Sequence, residues 1–411
     1  MCGRLRFRGA WIVPMPPNRE DGRGENNMEP KNSIAEVRGI MLDYAALTGV
    51  SPPGKTPRRY LWTDAFALCN LLELFRQTND GEWLDLALRL VDQVHHILGR
   101  HRSDDPRNGW ISGLDEAEGE SHPTRGGLRI GKRLNERGPG EPPDEPLEWE
   151  QDGQYFHYLT KWMHALSRMS RVTGVATYAG WAMELAQTAH AAFVPASRSG
   201  AKRMYWKMSI DLSRPLVPSM GQHDPLDGYV TYCELQASAA APGLSLQFDL
   251  KAEIADMAAI CRGKEWSTDD PLGIGGLLWD AWRIAQLTDM GGFRDTSLLE
   301  SIVDAALAGL QAFAEGNPLK YPAAYRLAFR ELGLSIGLKV IVPLRGWSEK
   351  NLENPLLRKI EALAGYLSLA EEIEGFWLEW RNRETETWRE HREINMVMLA
   401  TSLAPNGFLS I

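Results

Sequence analysis

The sequence has few cysteines and lacks the patterns by which they bind metal ions. Four occur among the 411 residues, with no CxxC spacing and no Cys/His metal pattern: Cys2, Cys69, Cys233 and Cys261. They predict reduced and mostly buried thiols. The stretch from Asp224 to Gly228 resembles a calcium loop only faintly, because the ligand ladder of an EF-hand is missing. We therefore expect no bound metal.

Long apolar runs and clusters of basic residues are also missing. No stretch approaches the roughly 18 to 20 apolar residues of a membrane span, and the apolar run at residues 10–13 is too short for a signal peptide. These absences predict a cytoplasmic protein without a membrane partner. The net charge of -9, together with the lack of a lysine or arginine run, argues against a nucleic-acid partner. The oligomeric state is left open.

Strand signals are scarce, and no glycine-rich phosphate motif follows a strand, so we expect no cofactor. Alternation suggests extended chain only near residues 204–210. Residues 1–32 predict a flexible arm, and residues 33–411 a single domain, with Ser33 capping the first helix. Helical periodicity predicts twelve helices, at about residues 33–48, 62–77, 81–98, 153–174, 176–194, 226–241, 247–263, 273–289, 295–315, 321–340, 353–375 and 388–403.

The twelve predicted helices alternate between two kinds of side-chain pattern. Even-numbered helices, such as the one containing residues 61–72, are apolar nearly all round, whereas odd-numbered ones, such as the one containing residues 83–92, carry charge in every turn. Helices of the first kind are buried and those of the second kind are half exposed. Because such a helical pair cannot bury its own face, it must stack with its neighbours. The sequence therefore predicts an all-α (α/α)6 toroid of six hairpins.

This pattern resembles the six-hairpin, or alpha/alpha toroid, superfamily, which includes glycosidases, polysaccharide lyases and N-acylglucosamine 2-epimerases. The resemblance rests on the count, order and alternation of helices over about residues 33–403. It implies a pocket at the end of the ring where the inner helices start, and it raises the expectation of sugar chemistry. Two loops that enter inner helices, at about residues 99–152 and 195–225, are long, so we expect both to line this pocket.

The inner-helix starts combine carboxylates, histidines and aromatic rings. Glycoside hydrolysis needs a carboxyl that protonates the leaving oxygen, a second group that activates water, and flat faces that hold the sugar. The candidate catalytic residues are Asp152, Asp224, Asp64, His157 and His223. The candidate substrate-binding residues are Trp62, Trp149, Tyr155, Trp206, Tyr229, Tyr325, Arg326, Trp388 and His391.

We therefore expect a carbohydrate-active enzyme that acts on a small sugar or an oligosaccharide. In the leading hypothesis it is a glycoside hydrolase, with Asp152 as general acid and Asp224 or Asp64 as the partner. Two alternatives stay open. One is a sugar 2-epimerase or isomerase that uses histidines, since the pKa of histidine lies near the working pH. The other is a sugar-binding toroid without catalysis, in which aspartates such as Asp64 and Asp227 only cap helices.

Overall fold

The computed structural model describes residues 30–54, 57–195, 202–239, 249–293, 295–351 and 354–411. The predicted flexible arm, residues 1–32, lies outside this range except for its last three residues, which begin the first helix.

The described chain is mainly helical. Its α-helices are α1 (Pro30–Thr48), α2 (Leu61–Thr78), α3 (Gly81–Leu98), α4 (Glu116–Ser121), α5 (Glu145–Glu150), α6 (Phe156–Thr173), α7 (Ala176–Phe193), α8 (Asp224–Ala239), α9 (Lys251–Cys261), α10 (Pro271–Asp289), α11 (Thr296–Gly316), α12 (Ala328–Leu338), α13 (Ile341–Asn351), α14 (Asn354–Leu363), α15 (Ser368–Leu378), α16 (Glu386–Glu390), α17 (Arg392–Leu403) and α18 (Asn406–Leu409). The strands are β1 (Gln154–Tyr155), β2 (Lys207–Met208) and β3 (Pro215–Val217), and the short 3-10 helices are Pro318–Lys320, Ala323–Tyr325, Ala364–Tyr366 and Asn382–Glu384.

Six helices form a closed inner ring. In order, α2 packs against α6, α6 against α8, α8 against α10, α10 against α12, α12 against α17, and α17 against α2. The outer layer consists of α1, α3, α7, α9 and α11, each packed on an inner helix, and of the shorter helices α13 to α15. This arrangement confirms the predicted (α/α)6 toroid and its alternation of inner and outer helices.

The first inner and outer helices show how the sequence produces this layering. Every residue of α2 from Leu61 to Leu74 is buried, as expected for a helix that is apolar nearly all round. The helix ends where Asn79 adopts the left-handed conformation, with φ of 53°. Asp80 then caps α3 by accepting a hydrogen bond from the backbone N–H of Glu82, so the chain reverses within a few residues.

Small residues let α10 and α12 approach closely, as the glycines of residues 273–276 predict. A Cβ atom added to Gly275 would lie 2.1 Å from the carbonyl oxygen of Gly333, and one added to Gly337 would lie 2.5 Å from the Cα of Gly275. A side chain at either position would therefore force these two inner helices apart.

Several local predictions need correction. Ser33 does not cap α1, because the helix begins at Pro30; its hydroxyl instead donates to the carbonyl oxygen of Leu403 at 2.9 Å. The predicted helix at residues 321–340 forms an α-helix only from Ala328, because prolines 318 and 322 begin 3-10 turns before it. The extended chain near residues 204–210 is β2, which pairs antiparallel with both β1 and β3.

The segment Ser297–Lys320 has the length and composition of a membrane span, which the sequence pattern did not predict. In the structure half of its apolar window is buried, and α11, which forms most of the segment, packs against α10 and α14. This packing makes α11 an outer helix of the toroid.

The last residues of the sequence close one end of the ring. After α17 the chain turns back, and the ring of Phe408 stacks on Phe66 with centroids 4.4 Å apart and meets the edge of Trp279 at 5.3 Å. His164 Nε2 lies 2.8 Å from the carbonyl oxygen of Phe408, and Gln286 donates to that of Leu409 at 2.9 Å. The end where the inner helices finish is therefore filled by this tail.

Replacing Phe408 by Ala should lower the free energy of unfolding by about 3 to 5 kcal/mol, since it removes a large side chain from the centre of the ring. Denaturant unfolding followed by far-UV circular dichroism measures this change. Replacing Tyr325, which is 81% exposed, by Ala is the control, with an expected change within about 0.5 kcal/mol. Equal effects of the two substitutions would show that the tail does not stabilise the ring.

Candidate functional site

The two long loops meet over the starts of the inner helices, as predicted. Arg107 of the first loop forms an ion pair with Asp211 of the second at 2.9 Å. Lys207 in β2 binds Glu148 of the first loop at 2.9 Å, and β2 pairs with β1, which leads directly into α6. Both loops therefore stand at one end of the toroid and form one wall.

Aromatic rings from this wall and from the inner helices surround His157. Its imidazole stacks on Tyr155, with centroids 5.4 Å apart, and lies parallel to Trp206 at 6.4 Å. The ring of Trp62 approaches it at 6.0 Å from α2, and Trp149 packs edge-on against Trp206 at 5.1 Å. The structure thus brings together four of the aromatic residues predicted from the sequence.

Two tyrosines that the sequence pattern did not single out complete the aromatic cluster. Tyr158 lies 5.4 Å from Trp62 and 4.8 Å from His157, measured between ring centroids. Its hydroxyl is 2.6 Å from that of Tyr60. Burial raises the pKa of Tyr60 to about 12, so this hydroxyl pair stays protonated and neutral.

Two polar pairs, one helical turn apart, join α6 to α8. His157 and Lys161 are four residues apart and Asp224 and Asp227 three apart, so each helix presents its two side chains on one face. In the outer pair, His157 Nδ1 lies 3.6 Å from Asp224 Oδ1. In the inner pair, Lys161 Nζ lies 2.6 Å from Asp227 Oδ1. The distance between His157 and Asp224 is therefore slightly too long for a hydrogen bond, whereas Lys161 and Asp227 form one.

The outer pair stands among buried polar atoms that have no hydrogen-bond partner. These atoms are His157 Nδ1, Asp224 Oδ2 and Trp62 Nε1. Asp224 is only 7% exposed and Trp62 only 6%. Buried polar groups are nearly always hydrogen-bonded, and each exception needs an explanation, such as a catalytic role or a water or ion that binds there. Three such atoms lie together beside the aromatic cluster.

A network of charges from α6, α8 and α10 lies around the inner pair. Arg283 approaches Glu234 at 2.7 Å, Asp280 at 3.1 Å and Asp227 at 3.5 Å. Burial opposes ionisation of Asp227, but the charges of Lys161 and Arg283 outweigh it and lower its pKa. Burial, and then the charge of Asp227, raise the pKa of Asp280 to about 7. The two carboxyl groups therefore have pKa values shifted in opposite directions.

Asp152, the predicted general acid, is a structural anchor in this arrangement. Its side chain is fully buried and forms ion pairs with Arg129 at 2.5 Å and Arg102 at 3.3 Å. Its other oxygen accepts the backbone N–H groups of Gly131 at 2.9 Å, Lys132 at 3.3 Å and Gly153 at 3.1 Å. These contacts hold the first loop against the start of α6.

Asp64 and Arg326 also have structural partners. Asp64 accepts the hydroxyl of Tyr44 at 2.6 Å and lies 3.2 Å from Arg59. It also accepts the backbone N–H of Tyr60 at 2.9 Å, so it caps the start of α2. Arg326 binds Glu331 at 2.7 Å and is buried. Neither side chain has the free polar atom expected of a group that contacts substrate.

His223 and His391 lie at inner-helix starts but outside the His157 cluster. His223 Nε2 is 2.8 Å from the carbonyl oxygen of Trp266, and burial lowers its pKa. His391 precedes α17, is exposed and meets the ring of Phe329 at 5.4 Å. Their placement at the same end of the toroid agrees with the predicted phase of the helices.

Three predicted substrate-binding residues do not reach the His157 cluster. Tyr229 points away from it and packs on Phe293 beyond the end of α10, at 5.2 Å. Tyr325 is on the surface. Trp388 is buried and stacks on Trp377 of α15, at 5.6 Å. Their roles as sugar platforms are not supported by these contacts.

Two surface cavities lie away from the His157 cluster. Among the described residues, no group of three His, Cys, Asp or Glu side chains could hold a metal ion. A cavity of about 500 Å³ lies between α11 and the segment before α10, and one of about 280 Å³ lies between α1, α16 and α17. Neither is lined by the residues around His157.

Comparisons with known proteins identify the fold. No protein-family model and no curated protein matches the sequence. The GH76A alpha-1,6-mannanase from Salegentibacter sp. HEL1_6 is similar in structure, with a TM-score of 0.51 and 10% identity over 91% of this chain and 99% of that chain. A D-mannose isomerase gives a TM-score of 0.50 and 11% identity over 91% and 97%.

A cellobiose 2-epimerase from Spirochaeta thermophila also matches, with a TM-score of 0.48 and 11% identity over 90% of this chain and 97% of that chain. At these identities the similarity concerns the fold alone. The chain has the six-hairpin, alpha/alpha toroid fold that the pattern of its helices predicts.

Replacing Asp152 by Asn should lower the free energy of unfolding by about 3 to 5 kcal/mol, because it leaves Arg129 buried without its carboxylate. Urea unfolding measures the change. The control is Asp104→Asn: this exposed partner of Arg102 should contribute less than about 1 kcal/mol. If Asp152→Asn abolished turnover without loss of stability, the original assignment of Asp152 as the acid would be restored.

Asp280 should make stability depend on pH. Its pKa is raised from 3.8 to about 7, so between these values the folded chain holds a proton that the unfolded chain has released. The free energy of unfolding should therefore fall as pH rises through this window, by at most about 1.4 kcal/mol per pH unit for this group. Asp280→Asn should remove that part of the slope in urea unfolding at pH 4.5 to 7. If the free energy of unfolding had the same pH dependence in the parent protein and in Asp280→Asn, the raised pKa of Asp280 would be contradicted.

Proposed function

We propose that this protein is a carbohydrate-active enzyme that holds a sugar at the starts of α2, α6 and α8 and transfers a proton through His157 and Asp224. The observation that carries the proposal is the pair itself. Its two members lie 3.6 Å apart, each keeps a buried polar atom without a partner, and aromatic rings surround them.

The chemistry of the cluster suits a sugar ring. Aromatic faces pack against the C–H face of a sugar, and its hydroxyl groups need both donors and acceptors. Trp62 supplies an indole N–H, Asp224 a carboxylate oxygen, and Trp206 a half-buried flat surface. Support of a general kind comes from the similar structures: one is a mannanase whose inactive variant was solved with alpha-1,6-mannotriose, and another is a mannose isomerase.

The pair favours proton transfer at a carbon next to a carbonyl group. With Nδ1 of His157 turned toward Asp224, the carboxylate orients the imidazole and leaves Nε2 for the substrate. Hydrogen bonds of this kind are often long without substrate and shorten when it binds. Removal of a proton by Nε2 gives an enediolate. Return of this proton to the former carbonyl carbon, while the hydroxyl proton of the deprotonated carbon moves to the former carbonyl oxygen, gives an isomer, whereas protonation of the original carbon on its opposite face gives an epimer. The reaction class we propose is therefore sugar epimerisation or isomerisation.

Glycoside hydrolysis is the second candidate, and one observation favours it. Asp224 has a carboxylate oxygen without a partner, while the pKa of Asp280 is raised to about 7 by burial and by Asp227. A carboxyl group with a raised pKa and a second carboxyl group in the same region are the two groups that glycosidases use. In this alternative Asp280 takes the role of general acid that Asp152 has in the sequence-based hypothesis, and Asp224 is its partner.

One experiment separates the two reactions. The purified protein is incubated in D2O with a panel of aldoses, ketoses and β- and α-linked disaccharides, and the products are followed by NMR. Epimerisation or isomerisation introduces deuterium at the carbon next to the carbonyl and changes the sugar without cleavage. Hydrolysis creates new reducing ends without deuterium at that carbon. Absence of both reactions, with binding retained, would leave a sugar-binding toroid.

The replacements His157→Asn and Asp224→Asn should each lower turnover by about 10² to 10⁴, the usual contribution of an acid–base group. The rate of the reaction found in the panel is the measurement, and circular dichroism checks folding. His96→Asn is a matched control, because His96 also pairs with a carboxylate, Glu120 at 2.8 Å, but on the outer helix α3. Full activity of His157→Asn would exclude it as the proton-transfer group.

A further inference from the structure

Lys161 has fewer hydrogen-bond partners than its burial requires. The residue is 4% exposed, and an ammonium group has three N–H donors and no acceptor. Its hydrogen bond in the described structure goes to Asp227 Oδ1, at 2.6 Å. Two donors are thus left without an acceptor in a place that excludes bulk water.

Lys207 shows what a fully satisfied buried lysine looks like in the same protein. Its Nζ donates to the carbonyl oxygen of Glu148 at 2.7 Å, to Glu148 Oε1 at 2.9 Å and to the carbonyl oxygen of Gln151 at 2.9 Å. All three donors have acceptors, and the lysine fixes one long loop to the other. Lys161 differs because its free donors do not contribute to the fold.

Lys161 lies close to Trp62, one of the residues of the candidate site. Its Nζ lies 5.9 Å from the ring centroid of Trp62 and 5.5 Å from that of Trp279, between two indole groups. The indole N–H of Trp62 itself lacks a partner. Lys161 is four residues after His157 on α6, so it lies one turn, about 5 to 6 Å, deeper on the same face. That distance is about the width of a sugar ring.

We propose that Lys161 is a catalytic residue that donates a hydrogen bond to the carbonyl oxygen of the sugar and stabilises the negative charge formed there. This inference rests on the proposed function. When His157 removes the proton from carbon, the electron pair of the C–H bond forms the C=C bond of the enediolate, and the carbonyl π electrons move to oxygen. The ammonium group stabilises this negative charge through a hydrogen bond and takes no part in electron transfer. Return of the proton from His157 to the former carbonyl carbon, while the neighbouring hydroxyl proton moves to the former carbonyl oxygen, completes the isomerisation.

Asp227 is the positioning residue for Lys161 in this proposal. It accepts hydrogen bonds from Lys161 and from the hydroxyl of Thr160, and Arg283 lies 3.5 Å from it. Its negative charge is therefore balanced from two sides even before Lys161 is counted. A preorganised cation in a dry site acts on a developing oxyanion far more strongly than in water.

A double-mutant cycle separates catalysis from structural support. The variants are Lys161→Met, Asp227→Asn and the combination of both, and the readout is the rate of deuterium incorporation into the substrate, with sugar affinity measured by calorimetry. The single Lys161 variant leaves Asp227 with one cation fewer and is the one at risk of unfolding. The double variant removes the pair together, a change that is often neutral for stability.

If Lys161 acts on the substrate, Lys161→Met and the double variant should both lose about 10² to 10³ in rate, the usual loss for one oxyanion donor. Asp227→Asn, which keeps the ammonium group, should retain more activity than either. Sugar affinity should change little, so the loss should appear in kcat. The control removes another ion pair between helices, Lys339→Met with Glu374→Gln, and should leave the rate unchanged.

Recovery of the parent rate in the double variant would overturn the inference, because it would show that Lys161 only neutralises Asp227. That result is distinct from failure of the proposed function, in which the parent protein itself incorporates no deuterium with any sugar of the panel. In that second case the inference fails with the function on which it rests.

Discussion

The constraint on which the rest of this structure depends is that six helices are buried on almost every side. Such a helix cannot be stable at a surface, and a flat stack of such helices would leave its two ends exposed to water. Closing the stack into a ring removes both ends, and α17 packs on α2 to do so. The ring then fixes all six helix starts at one end, where side chains distant in sequence come within a few ångströms of one another.

Much of the fold could be predicted, because the spacing of hydrophobic residues along a helix indicates which of its faces are buried. The alternation of apolar and charged helices predicts inner and outer layers, and the phase of that alternation predicts the end at which the long loops meet. Residues near the first turn of an inner helix, such as Trp62, His157 and Asp224, follow from the phase alone. The phase does not show toward which side of its helix each side chain points. Tyr229 comes two residues after Asp227, about 200° around the helix, so the two cannot face the same side.

Partners that come from distant loops could not be read from the sequence. Asp152 has the pattern of a helix-start carboxylate in an aromatic segment, and only the folded loop brings Arg129 and Arg102 to it. Lys161, Asp280 and Arg283 did leave a signal, since each interrupts an otherwise apolar stretch of an inner helix. An ionisable residue in such a place is costly unless it is paired or used. These three positions lie inside the helices, away from the helix starts where the carboxylates, histidines and aromatic rings of the sequence pattern occur.

The tail that fills the far end of the ring determines how a long ligand could meet the site. Phe408 lies against Phe66 and Trp279 on the axis of the toroid, so no polymer can thread through from one side to the other. The rings of Trp206 and Trp149 lie on the other side of this plug, beside His157. In the part of the chain that the structure describes, a ligand beside His157 would therefore meet a closed floor and not an open channel.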